Sequence, residues 1–182
     1  MTPATPNITP DLTMAEVLEI YPGAQRALFR QYHIGGCSSC GFQPTETLAG
    51  VCARNDGLPV ADVIAFLEAS QEEDAKMFIS PVDLAAEMAK GAVRLLDIRT
   101  REEFEAVHIE GSQLFSQELL QEISATWPRE QAFVLIDHQG KRTLDAAAYF
   151  AGHGFTAVKG LAGGIDLWSQ EVDPDLPRYH LE

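Results

Sequence analysis

Two hydrophobic rhythms divide the chain. Over residues 11–70 the apolar positions recur at helical spacing. Leu12, Ala15, Val17, Leu18, Ala24, Ala27, Leu28 and Phe29 form an imperfect amphipathic stripe, broken at Tyr21-Pro22-Gly23. A further short helix is predicted over residues 45–54, with Thr45 as its N-cap. Another is predicted over residues 60–69, with Val63, Ile64 and Leu67 on one side. These short helices suit a small bundle. Residues 1–10 hold three prolines and little to bury, which predicts a loose tail. Residues 71–78 open with a run of polar and charged side chains and read as a linker.

From residue 79 the rhythm changes. Ser80-Pro81-Val82-Asp83 is a helix start: a capping serine, a proline in the first turn, an acid three residues after the cap. Residues 93–98 read as a strand, and 117–125 as a helix. Residues 132–136 are uninterruptedly apolar, as in a strand buried on both faces of a parallel sheet. Residues 143–151 are an alanine-rich helix, followed by a short strand at 157–158. Strands alternating with helices predict an α/β fold with a parallel sheet. The expected organisation is a tail (1–10), a small all-α domain (11–70), a linker (71–78) and an α/β domain (79–182).

Charge narrows the function. The 182 residues carry 13 basic and 27 acidic side chains, a net charge of −14. Neither half is basic, so no nucleic-acid partner is expected. Six residues, 146–151, is the longest apolar run, far below the ~20 that a membrane helix needs. The first eleven residues lack both the basic and the apolar part of a signal peptide. A cytoplasmic, soluble protein is expected.

The three cysteines, Cys37, Cys40 and Cys52, are clustered, and the 130 residues after Cys52 contain none. A disulfide scaffold uses a denser, even set. Gly35-Gly36-Cys37-Ser38-Ser39-Cys40-Gly41 is glycine-rich and predicts a loop. Two cysteines at this spacing can close a disulfide. Cys52 follows Leu48 by one helical turn, so it is either a buried structural thiol or a third reactive one. With His33 nearby, Cys37, Cys40 and Cys52 are also a potential set of ligands for zinc or an iron–sulfur cluster. The dithiol without any cofactor is the favoured alternative.

Four segments of the second half carry a resemblance. They are Leu95-Leu96-Asp97-Ile98-Arg99, Glu102-Glu103-Phe104, His108-Ile109-Glu110-Gly111-Ser112, and Gly160-Leu161-Ala162-Gly163-Gly164-Ile165-Asp166-Leu167-Trp168. In that order they resemble a rhodanese domain. The resemblance implies a five-stranded parallel sheet flanked by helices. It also implies an active loop after the fourth strand, which starts with a sulfur-carrying cysteine and ends with arginine. Here that loop is Asp137-His138-Gln139-Gly140-Lys141-Arg142. Gly140 and Arg142 match the pattern, and Asp137 takes the cysteine's place. Backbone N–H groups of such a loop cradle an anion. A carboxylate accepts no sulfane sulfur, so two expectations follow. In one, Asp137 fills its own cradle and the domain is a binding or scaffolding module. In the other, Asp137 acts as a nucleophile or base with His138 beside it. His108, Asp97 and Arg99 are expected to be structural, and Trp168 and Phe155 to be core.

In the first half, Leu12-Thr13-Met14-Ala15-Glu16-Val17-Leu18, Tyr21-Pro22-Gly23-Ala24, the Cys37/Cys40 loop, Glu46-Thr47-Leu48 and Val51-Cys52 resemble the hybrid-cluster-protein-associated redox disulfide domain. Together the two resemblances imply an accessory protein in thiol redox chemistry or sulfur relay. It would act through Cys37 and Cys40 on a protein partner, with room for a small anion in the 137–142 loop. An active sulfurtransferase carrying sulfur on the N-terminal cysteines is the alternative.

Overall fold

A computed structural model describes residues 7–35, 41–91 and 93–179. The chain divides into two compact units, Met1–Ala75 and Lys76–Glu182.

The first unit contains α1 (Met14–Ile20), α2 (Ala24–Tyr32), α3 (Leu48–Arg54) and α4 (Val60–Ala75). Thr13 starts α1 with a reciprocal capping box: its hydroxyl accepts the Glu16 N–H, and the Glu16 carboxylate accepts the Thr13 N–H. Pro22 and Gly23 separate α1 from α2 at the predicted break. Met14, Val17, Leu28, Ile34, Leu48, Val51, Cys52, Val63 and Leu67 form one apolar core.

Four expectations for this unit need correction. The predicted tail is packed where it is described, because Ile8 is only 4% exposed and the Pro10 carbonyl accepts the Ala49 N–H. The cap of α3 is Thr47, whose hydroxyl accepts the Gly50 N–H, so Thr45 lies outside the helix. The described residues form four helices here, where the helical stretches 11–29, 45–54 and 60–69 were expected as three, because the break at Pro22-Gly23 makes two helices of the first. The predicted linker is largely helix, since α4 runs six residues past Ala69 to Ala75. The polar run is held by specific partners. The Gln71 side chain donates to the Ile20 carbonyl at 3.0 Å. Asp74 accepts the Tyr21 hydroxyl and, at 2.7 Å, the Arg26 guanidinium. Strand pairing then begins at Phe78.

The second unit contains β1 (Phe78–Ile79), α5 (Pro81–Ala89), β2 (Arg94–Asp97), α6 (Arg101–Ala106), β3 (Ser112–Leu114), α7 (Gln117–Thr126), β4 (Phe133–Ile136), α8 (Thr143–Gly152), β5 (Val158–Leu161) and α9 (Gly164–Glu171). The five strands form one sheet in the order β1-β5-β4-β2-β3, with every pair parallel. This is the predicted α/β architecture with its five-stranded parallel sheet. Ser80 caps α5 as its pattern predicts, accepting the Asp83 N–H at 3.1 Å.

Strand β4 is central and fully buried. Its alternate residues serve opposite faces. Val134 and Ile136 join Leu84, Leu95, Leu161, Ile165 and Trp168 in one core. Phe133 and Leu135 join Leu96, Ile123, Ala147, Phe150 and Phe155 in the other. Helices thus cover both faces, which explains why the strand reads as a continuous apolar run. The register pairs Asp97 with Ile136 and Leu135 with Gly160. The carboxyl ends of β2 and β4 therefore lie side by side, and the segments leaving them form the site.

Candidate functional site

Where β4 ends, the chain must leave the sheet and enter α8. Asp137 makes that turn and is only 3% exposed. Its carboxylate accepts the backbone N–H of Gly140 through Oδ1, and that of Arg142 through Oδ2 at 2.7 Å. A buried carboxylate with two amide donors at a helix N-terminus is well satisfied without any cation. The segment closes on itself around this side chain.

Two neighbouring elements pin the loop backbone. In the first turn of α9, Ile165 and Asp166 donate their N–H groups to the carbonyls of Asp137 and His138, at 2.9 and 3.1 Å. The Thr143 hydroxyl donates to the Gly140 carbonyl at 3.0 Å. Gly140 has φ +81°, and a Cβ there would lie 2.8 Å from the Gly163 nitrogen and 2.9 Å from the Leu161 oxygen. At Gly164 a Cβ would lie 2.5 Å from the Asp137 oxygen. The close approach of α9 to the loop thus demands glycine on both sides.

The end of β2 supplies a charged wall. Asp97 and Arg99 form an ion pair at 2.6 Å, their side chains 0% and 1% exposed. Arg99 also donates to the Val107 carbonyl at 2.8 Å and to the Tyr179 hydroxyl at 2.7 Å. That hydroxyl in turn donates to Glu103 at 2.8 Å. Burial is the main force pushing the Tyr179 hydroxyl up to about 12. Burial would raise Glu103 too, but hydrogen bonds from Thr100 and Tyr179 hold it below the ordinary carboxylate range. For Arg99 burial works against the charge, yet Asp97 and Tyr179 outweigh it and raise the guanidinium further. Arg142 extends away from Asp137, donating to the Ile98 carbonyl at 2.8 Å.

His138 packs face to face on Tyr179, with ring centroids 4.4 Å apart. Its Nε2 lies 3.0 Å from the Tyr179 carbonyl. A carbonyl only accepts, so the proton sits on Nε2. Between these groups opens a cavity of about 140 Å³, lined by Arg99, Glu103, Asp137, His138, Gln139, Lys141 and Arg142. The fold brings the whole predicted loop together with the Asp97–Arg99 pair. Gly140 is its pivot.

Other predicted residues lie elsewhere. His108 is exposed, stacked on Phe104 at 4.3 Å and bonded to its carbonyl at 2.8 Å. Trp168 and Phe155 are buried at 5% and 3% exposure. Cys37 and Cys40 lie outside the described residues. The segments flanking them are held by the Gln25 side chain on the Gly35 carbonyl at 3.3 Å and the Arg54 guanidinium on the Gly41 carbonyl at 2.9 Å. Cys52 sits on α3 in the apolar core, 2% exposed, and burial pushes its thiol up. His33 is exposed at the end of α2, edge-on to Phe29 at 6.1 Å. Among the described residues, no cluster of three or more His, Cys, Asp or Glu side chains is placed to hold a metal ion. No helix among them is long and apolar enough to cross a membrane.

Tyr179 is the residue in contact with the site that the sequence reading missed. It lies 41 positions beyond His138, and nothing local to it signals a site. The same holds for the link from Arg99 through Tyr179 to Glu103, which ties the β2–α6 turn to a residue 76 positions beyond Glu103.

A doubly covered parallel sheet, with a loop running from its central strand into a helix N-terminus, defines a doubly wound α/β protein with its site at the carboxyl ends of the strands. The comparisons make this specific. Residues 80–171 match the rhodanese-like domain family, and the chain belongs to that family. A 91-residue stretch is 30% identical to the thiosulfate sulfurtransferase GlpE of Pseudomonas aeruginosa, covering 50% of this chain and 83% of that protein. Over 104 residues it is 33% identical to the probable adenylyltransferase/sulfurtransferase MoeZ of Mycobacterium tuberculosis. That match covers 56% of this chain but only 26% of MoeZ, so the chain spans about a quarter of that relative's length. Among solved structures, the human single-domain sulfurtransferase TSTD1 aligns with a TM-score of 0.47 and 26% identity, over 52% of this chain and 96% of that one.

Proposed function

We propose that this protein is a rhodanese-like accessory factor whose own loop transfers no sulfur. In this reading Asp137 stands where the family carries its sulfur on cysteine, and the working thiols are Cys37 and Cys40 of the N-terminal unit. One observation carries the reading: the Asp137 carboxylate takes the Gly140 and Arg142 N–H groups that an anionic donor would otherwise occupy. An oxygen anion already satisfied by two amides offers neither a sulfur nucleophile nor an open cradle. Residues 11–70 would then be a redox disulfide domain of the hybrid-cluster-associated kind, meeting a protein partner in a reducing, cytoplasmic setting. Cys52, buried and with its thiolate disfavoured, serves packing rather than exchange.

The deciding experiment is a thiosulfate:cyanide assay on the full chain, wild type and Asp137→Cys. In the variant the introduced thiolate attacks the outer sulfur of thiosulfate. The S–S bond breaks, sulfite leaves with the electron pair, and cyanide then takes the sulfane sulfur as thiocyanate. We expect no turnover above buffer for the wild type and measurable turnover for the variant. Robust wild-type turnover that survives Cys37→Ser/Cys40→Ser refutes the reading.

A second reading is favoured by the sulfurtransferase names of the relatives. Here sulfur rides on Cys37 or Cys40, and the rhodanese-like unit presents the donor. Mass spectrometry after exposure to thiosulfate or polysulfide separates the two. A +32 Da adduct on either cysteine, about one sulfur atom, supports carriage. Its absence, with reversible disulfide formation, supports the redox role.

A further inference from the structure

We propose that Tyr179 is a positioning residue of the loop site, and that the segment following α9 is a built part of that site. The inference rests on the reading of the 137–142 loop as a rhodanese-like loop closed by Asp137.

Four contacts, from three different groups of one residue, converge on the cavity. The Tyr179 ring stacks on the His138 imidazole at 4.4 Å. Its carbonyl receives the His138 Nε2 proton at 3.0 Å. Its hydroxyl accepts from Arg99 at 2.7 Å and donates to Glu103 at 2.8 Å. Arg99, Glu103 and His138 are three of the seven residues lining the cavity. Each of these three is therefore held by a residue that does not itself line the cavity.

The segment carrying Tyr179 is anchored independently. Arg178 pairs with Asp166 in the first turn of α9, its Nε 2.8 Å from Oδ1. Leu176 packs on the core beneath the sheet. The anchor matters because Asp166 also donates its N–H to the His138 carbonyl. The strap and the loop thus share one support, so Tyr179 reaches His138 at a fixed distance.

The chemical consequence falls on His138. With Nε2–H committed to the Tyr179 carbonyl, Nδ1 is the nitrogen with no partner among the described residues. Tyr179 so fixes both the ring plane and the tautomer. A ligand in the cavity meets an imidazole acceptor of set orientation, a guanidinium and a carboxylate. The guanidinium suits a small oxyanion such as thiosulfate, and Nδ1 suits a hydrogen-bond donor where the bound species carries one.

Two measurements on the full chain test this. First, the His138 Nε2–H resonance is followed by NMR and assigned by its loss in His138→Gln. We expect it to be protected in the wild type and in Tyr179→Phe, and to exchange markedly faster in Tyr179→Ala. Both variants keep the backbone carbonyl that accepts the Nε2 proton, and only phenylalanine keeps the ring that stacks on the imidazole, so a difference between them isolates the ring's positioning role. Second, thiosulfate kinetics are measured with the same substitution in the Asp137→Cys background. Tyr179→Ala should raise KM about five- to tenfold while kcat stays within about twofold, the pattern of lost ground-state positioning. A His138 resonance as slowly exchanging in Tyr179→Ala as in the wild type overturns the proposal. So does an unchanged KM in an active Asp137→Cys protein. If Asp137→Cys is itself inactive, the failure belongs to the loop reading, and the His138 resonance alone decides the role of Tyr179.

Discussion

Replacing Asp137 with alanine tests whether the carboxylate truly stands in for a bound anion. The side chain is 3% exposed and receives two backbone donors. A hydrogen bond to a charged group contributes about 1.5–3 kcal/mol net, and a stranded buried N–H costs about 1–3 kcal/mol. Relief of the desolvation of one carboxylate offsets part of this. The second unit should therefore lose about 2–4 kcal/mol. For a unit of this size each kcal/mol corresponds to roughly 4 °C in Tm, so the expected drop is about 8–16 °C. Asp137→Ala also leaves a cradle with two free donors. Added sulfate or thiosulfate should occupy it, and at ten times its Kd an anion restores about 1.4 kcal/mol, from RT ln 11. The assay is thermal and urea unfolding of wild type and variant, with sulfate, thiosulfate, or chloride at matched ionic strength. Sulfate stabilises most proteins by exclusion from the surface, so the informative quantity is the variant's gain minus that of the wild type. The reasoning is refuted if both proteins respond equally to the anion, or if Asp137→Ala unfolds within ~0.5 kcal/mol of wild type, the range of an ordinary surface substitution.

Three further predictions follow from the same geometry. Arg99→Met should destabilise the second unit by about 3–5 kcal/mol, because it leaves Asp97 buried without its cation; adding Asp97→Leu should recover much of that loss, as urea midpoints will show. Glu103 sits below its ordinary 4.5 in the folded state, so its contribution is present above pH 4.5 and lost as the pH falls through the folded value; Glu103→Gln should flatten that part of the stability–pH curve. In a Cys37→Ser/Cys40→Ser protein, iodoacetamide should alkylate Cys52 at least about a hundredfold more slowly than in urea, since the thiol is both buried and disfavoured as thiolate; fast native labelling would contradict its place in the core.

The architecture was legible because its signals are local. The apolar run of β4, the Ser80-Pro81 start of α5 and the alternation of strand and helix each depend on neighbours in sequence. The Asp137 loop was legible for the same reason: its donors and acceptor lie within six residues. Strands β1 and β3 were not, having two and three residues and only partial burial, too short for any period to register. Ile8 is a single apolar residue among prolines, and its burial comes from a core assembled out of α1 to α4. Tyr179 gave no signal because its role arises from chain ends that only the folded sheet brings together.

The last turns of α4 change how the two halves of this chain are to be separated for study. A fragment ending at residue 70, where the charged run begins, would discard Gln71 and Asp74. The Tyr21 hydroxyl, on a residue 3% exposed, would then lose its acceptor. Arg26 would lose its 2.7 Å carboxylate partner, and the Ile20 carbonyl its donor. A cut after Ala75 keeps all three, and leaves Met77 with the second unit, where it packs on the core around Phe133. A shift of five residues in the cloning boundary thus decides whether the N-terminal half is purified with the contacts of its last helix intact or with a buried phenol that has no acceptor for its proton.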